Sequence, residues 1–233
     1  MRLAGLIAGP FLLAATVANA QAYQCQIPRG AISVPKSIQD GPVRRTPITG
    51  YTLALSWSPE YCRFASSTDR FQCSGRNGQF GLVLHGLWPE GKNGGYPQWC
   101  PTTRRPSAEL VRQNLCLMPS PALIAHEWAK HGSCMTRRPE AYFKAARILW
   151  NSLSLPDLDR LSRRDGLTAG MIRESFVAAF PAFHSDMVGV QLSKNGWLEE
   201  IKLCYGKDFR PARCGKGQFG VANAAPAKIW RGL

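Results

Sequence analysis

The chain has 233 residues, 45% of them hydrophobic, and carries 29 lysines and arginines against 15 aspartates and glutamates, a formal net charge of +14. That length gives one domain with a sizeable core, and no internal repeat, low-complexity tract or membrane-length apolar run follows residue 20. The positive charge lies in scattered doublets, Arg44-Arg45, Arg104-Arg105, Arg137-Arg138 and Arg163-Arg164, rather than in one tail. It suits a globular surface that attracts a polyanion by its long-range field, although solubility or affinity for an anionic envelope would use the same charge.

Residues 1–20 begin with Arg2, run through Leu3 to Val17 with few polar groups, and end Ala18-Asn19-Ala20, the pattern of a secretory signal peptide cleaved near Ala20. Gly9-Pro10 interrupts the run, which is short for a bilayer span. A secreted or periplasmic protein without stable membrane association is expected. Export accounts for the cysteines: Cys25, Cys62, Cys73, Cys100, Cys116, Cys134, Cys204 and Cys214 form an even set suited to four disulfides. No two stand in Cys-x-x-Cys spacing, so a structural metal is not expected. Residues 21–50, with four prolines and three glycines, read as an extended arm tied down by Cys25, and residues 51–233 as the folded domain.

In that domain residues 51–57 alternate in the two-residue rhythm of a strand, stopped by Ser58-Pro59. Residues 62–78 form a stapled polar loop. Residues 79–89 make a second strand that ends on His85, Trp88 and the ladder-breaking Pro89, and the glycine-rich stretch 90–96 is a loop of the kind that builds sites. Ser107 caps a short helix to about Cys116. Ser120-Pro121 starts another that reaches Lys130 or His131, with Gly132 placed to end it. Helices follow from Pro139 to Leu153 and from the cap Thr168 to Phe180. Residues 187–193 and 197–204 are strands joined by Lys194-Asn195-Gly196, a hairpin signal, and a short edge strand fits 218–222. The fold class is α+β: a central antiparallel sheet with flanking helices in a disulfide-stapled single domain.

Chemistry concentrates in His126-Glu127-Trp128-Ala129-Lys130-His131-Gly132-Ser133-Cys134, which holds two of the four histidines. On a helix His126 lies beside Lys130 and Glu127 beside His131, so four polar groups reach one small volume while Trp128 and Ala129 face a core. Two imidazoles, a carboxyl and an amine suit acid–base chemistry on an anionic group. A zinc protease reading of His-Glu-x-x fails at Lys130, where a ligand is required.

Together with His85-Gly86-Leu87-Trp88-Pro89, this segment closely resembles the ribonuclease T2 family of secreted endoribonucleases, over roughly residues 51–214. The resemblance implies cleavage of single-stranded RNA by attack of the 2′-hydroxyl on phosphorus. The products are a 2′,3′-cyclic phosphate and then a 3′-phosphate, with low base specificity and no metal or other cofactor. It implies His131 as base and His85 as acid, though the two could be exchanged. His126 would bind phosphate, and Lys130 and Glu127 would stabilise the transition state. Trp88 would stack on a base, with Glu90 and Tyr96 around that base. Leu123 stands where many relatives carry an aromatic for a second base. The same resemblance implies disulfides Cys62–Cys116, Cys100–Cys134 and Cys204–Cys214, leaving Cys25–Cys73. A monomer with RNA as substrate and no obligate protein partner is expected. The alternative from another class is a secreted RNA-binding or toxin-like protein without catalysis.

Overall fold

The structure is a computed structural model and describes residues 24–65 and 69–232; residues 1–20, expected from the sequence to be a signal peptide, lie outside them. One sheet runs β1 Gly50–Trp57, β2 Leu82–Glu90, β3 Val188–Leu192 and β4 Leu198–Gly206 in the order β2-β1-β4-β3, every neighbouring pair antiparallel. Strand alternation sends Leu53, Leu55, Val190, Ile201 and Leu203 into the core, all buried. Thr52, Ser56, Glu200 and Lys202 take the alternate positions.

Helices pack on the core face, except the last, which borders the opposite, polar face. They are α1 Ser58–Cys62, α2 Arg70–Cys73, α3 Ala108–Asn114, α4 Pro121–Glu127, α5 Pro139–Asn151, α6 Leu158–Leu161, α7 Ala169–Ala179 and α8 Lys216–Phe219. Ser107, Ser120 and Thr168 cap α3, α4 and α7, each hydroxyl accepting a first-turn N–H. Their apolar faces, including Leu110, Ile124, Phe143 and Ile172, join the sheet in one cluster. The Asn195-Gly196 hairpin forms as the sequence indicates, with Gly196 at φ +79° and its N–H on the Ser193 carbonyl.

Three expectations are corrected. Gly132 does not end its helix: α4 passes into a π turn, Trp128–Gly132, and a further turn, Ser133–Met135. Gly132 keeps helical dihedrals, φ −61° and ψ −36°. Its missing side chain serves packing instead, since a Cβ there would lie 2.7 Å from both Trp128 and Tyr142.

Residues 218–222 do not form an edge strand; α8 occupies their start, and a single parallel bridge joins Gly220 to Val190. The carbonyls a ladder would need are claimed by Arg173, a fully buried guanidinium. It donates to Phe219 O, Val221 O and Val188 O and to Asn223 Oδ1 at 2.7–2.8 Å.

The disulfides Cys62–Cys116 and Cys25–Cys73 are replaced by Cys62–Cys73 and Cys25–Cys116, while Cys100–Cys134 and Cys204–Cys214 form as the resemblance implies. The cause is local. Helices α1 and α2 pack together and bring Cys62 to a Cα distance of 5.3 Å from Cys73, so Cys116 beyond α3 meets the arm at Cys25. The arm follows the surface in extended form, held by Arg112 on the carbonyls of Pro28 and Gly30 and by Arg105 on that of Val34. It ends in a two-way backbone bridge between Arg44 and Gln98 at 3.0 Å.

Candidate active site

His85 reaches the cleft through a break in β2. Leu84 pairs with Leu55 and Gly86 with Ala54, so His85 is the extra residue of a β-bulge. A bulge bends the strand and re-aims a side chain. It also explains why Leu84 and Leu87, three apart, are both fully buried.

The His85 Nδ1 lies 2.7 Å from Glu200 Oε1 and 3.1 Å from Ser56 Oγ; those two residues face each other across β1 and β4. A carboxylate only accepts, so the proton sits on Nδ1. On its other side Nε2 is 3.7 Å from Glu127 Oε1. Burial disfavours a charged imidazole at His85. The Glu200 hydrogen bond and the charges of Glu127 and Glu200 outweigh it, against Lys202, and hold the pKa above the ordinary histidine value.

Glu127 is buried at 1% exposure and accepts from Trp88 Nε1 at 2.8 Å. Burial raises its pKa to about 7, despite the opposing charge of His85 and that hydrogen bond. Its carboxyl rests on Gly86: a Cβ there would stand 1.9 Å from Glu127 Oε2. The glycine in the His-Gly-Leu-Trp run is therefore required by close approach, not by a turn.

Helix α4 carries His126, and the π turn carries Lys130 and His131. Widening the helix frees the Lys130 carbonyl, which accepts the Trp99 N–H at 2.8 Å. The Trp99 ring meets His126 edge-on at 5.4 Å. His131 is buried, and its Nδ1 has no hydrogen-bond partner among the described residues. Burial, then the charges of Lys130, His126 and His85, push its pKa down to about 3. His126 is lowered by burial and Lys130, with Asp40 opposing. His85 and His131 thus differ in kind: one has a carboxylate on Nδ1, the other has no partner there among the described residues.

Trp88 stands between them, 5.1 Å from the His85 ring and 5.5 Å from that of His131. All eight residues singled out in the sequence, His85, Trp88, Glu90, Tyr96, His126, Glu127, Lys130 and His131, line one cavity of about 910 Å³. Leu123 does not line it and packs partly buried against the core. Tyr96 lies tilted 6.1 Å from His131 and is covered by the Arg44 guanidinium at 4.5 Å. Glu90 accepts from Thr52 Oγ1 at 2.7 Å, and Gln218 Nε2 donates to the same hydroxyl.

Sequence reasoning missed several residues that shape this cavity. Glu200 and Lys202 arrive by the pairing of β4 with β1, and Lys202 Nζ sits 5.4 Å from the Trp88 ring centre. Asp40 arrives on the arm and pairs with Lys130 at 2.9 Å. The alternation of charged with apolar residues in Glu200-Ile201-Lys202-Leu203 was the only signal, and it marks a polar face without naming its partner.

Comparison with known proteins follows this geometry. The fold is that of solved ribonucleases. Trichomaglin, described as a novel S-like ribonuclease, superposes with TM-score 0.64 at 19% identity over 79% of this chain and 98% of its own. RNase NT in complex with 5′-AMP gives 0.59 at 20% identity over 79% and 98%. The chain belongs to the Ribonuclease T2 family, whose sequence model matches residues 49–214. A probable ribonuclease of Haemophilus influenzae is 30% identical over 187 residues, 73% of this chain and 62% of that protein. A ribonuclease of Aeromonas hydrophila is 48% identical over 84 residues, 36% of each chain. The chain thus spans less than two thirds of the length of both relatives.

Proposed function

We propose that this protein is an endoribonuclease that cuts single-stranded RNA with low base specificity, by transphosphorylation to a 2′,3′-cyclic phosphate and then hydrolysis to a 3′-phosphate. The observation that carries the reading is the electrostatic asymmetry of two histidines on one cavity. His131, neutral down to about pH 3, accepts the 2′-hydroxyl proton. His85, kept charged by its hydrogen bond to Glu200, donates to the departing 5′ oxygen. In the second step the roles reverse and water replaces the 2′ oxygen. Glu127, protonated below about pH 7, donates a hydrogen bond to a phosphoryl oxygen as charge builds there. His126 and Lys130 hold the phosphate, and Trp88 offers an indole face to a base, with Tyr96 and Glu90 around it.

The nucleotide held by RNase NT, whose fold this chain shares, agrees with this reading. The N-terminal apolar segment and four disulfides support export to the periplasm or beyond, and the protein acts as a monomer without a protein partner or cofactor. His85→Ala and His131→Ala, each checked for folding, are expected to lose about a hundredfold to ten-thousandfold in rate on homopolymeric RNAs. Cyclic-phosphate ends should accumulate early with the unaltered protein and survive a strong chelator. Absence of such ends, or full activity in both variants, would leave a non-catalytic RNA-binding protein instead.

A further inference from the structure

The arm precedes the family match at residues 49–214, yet its Asp40 reaches Lys130 and His126, two of the residues that line the cleft. Asp40 Oδ2 lies 2.9 Å from Lys130 Nζ and 3.8 Å from His126 Nε2, and Oδ1 accepts from Trp99 Nε1 at 3.0 Å. The arm is fixed at this point. Gln98, buried, donates to the Pro42 carbonyl at 2.8 Å, and the Arg44–Gln98 bridge follows two residues on. A half-exposed carboxylate is therefore held on the Lys130 ammonium and the His126 imidazole assigned above to phosphate. An ammonium has three donors, so Lys130 can serve Asp40 and a phosphate together. The two anions then stand about 5 Å apart, and each unit of charge on the phosphate meets the same repulsion. Glu127 and Glu200 act from the His85 side of the cavity and are the same in the unaltered protein and in an Asp40 variant, so a change between the two reports Asp40.

We propose that Asp40 is a specificity-determining residue that makes the cleft favour a singly charged phosphodiester over a doubly charged phosphomonoester. Resting on the ribonuclease reading, this means that uncut RNA and cyclic ends are retained while the terminal 3′-phosphate is shed. Product inhibition is thereby kept weak.

The test uses the full chain and two ligands without a 2′-hydroxyl, 2′-deoxyadenosine 3′-phosphate and its methyl ester, which differ by one charge at pH 7.5. Calorimetric dissociation constants are measured for the unaltered protein, for Asp40→Asn, and for Asp159→Asn. The last makes the same change of net charge at an exposed carboxylate paired with Arg163. At surface-like screening Asp40→Asn should tighten the diester about fivefold and the monoester by about that factor twice over, moving the ratio about fivefold. Asp159→Asn should leave the ratio in place. At pH 5, where the monoester carries about one charge, the ratio should no longer move. Equal tightening of both ligands, or an unmoved ratio at pH 7.5, overturns the inference and leaves the ribonuclease reading intact. Failure of the unaltered protein to bind either ligand overturns both.

Discussion

Replacing Glu200 by Gln removes the negative charge 2.7 Å from His85 Nδ1 while keeping an oxygen that can accept the same hydrogen bond. Hydrogen bonds to charged groups contribute about 1.5–3 kcal/mol net. His85 is one third exposed, so the lower end applies, about 1.5 kcal/mol, or roughly tenfold in the charged population where the imidazole titrates. Because the raised pKa of His85 keeps it charged, losing the carboxylate must move the alkaline limb of the rate profile toward acid. Near pH 5 the variant should match the parent, and on the alkaline limb kcat/KM for a dinucleoside phosphate should fall about tenfold. Lys202 opposes the shift at His85, so Lys202→Met should move the same limb the other way. Profiles from about pH 3 to about pH 9, with an NMR titration of the His85 ring, measure both. An alkaline limb that stays put in Glu200→Gln, or moves in the same direction in both variants, would refute the acid role given to His85.

The parent profile itself should be bell-shaped, falling toward pH 3 as His131 gains a proton and on the alkaline side as His85 and Glu127, the latter near pH 7, lose theirs; a flat response from about pH 4 to about pH 9 would contradict this. Gly86→Ala should cost about 1–3 kcal/mol in urea unfolding and at least about a hundredfold in kcat, because its Cβ displaces Glu127. Near-normal turnover with a shifted melting point would show that Glu127 has no part in the chemistry. Arg173→Met strands the carbonyls of Val188, Phe219 and Val221 and should destabilise by about 3–5 kcal/mol. It should also raise KM through the adjoining cleft wall at Gly215 to Gln218. A loss below about 1 kcal/mol would mean that water replaces the guanidinium there.

The two segments that carry the chemistry were legible because each is contiguous: a six-residue run on one helix and a histidine beside an indole at a strand end. Capping serines and the Asn-Gly turn marked their elements by local chemistry that no tertiary contact overrode. What depended on distance along the chain was not legible. Glu200 meets His85 only through the pairing of Ser56 with Glu200, and Asp40 only through the path of the arm. Cysteine pairing failed for the same reason, because nothing local separates Cys73 from Cys116 as a partner for Cys62. Gly132 misled because a glycine at a close packing contact looks like one that ends a helix. Nor did the register slip at His85 show, because Leu82, Val83 and Leu84 are buried in succession and leave no alternation to break.

That slip has an evolutionary corollary. Excising His85 would leave Leu84, Gly86 and Leu87 opposite Leu55, Ala54 and Leu53, the neighbours they already have, in an unbroken ladder. The imidazole is thus an insertion the architecture does not need, and a lineage selected for sturdiness alone would drop it and keep its shape. Descendants that had lost cutting could therefore persist as well-folded, inert shells.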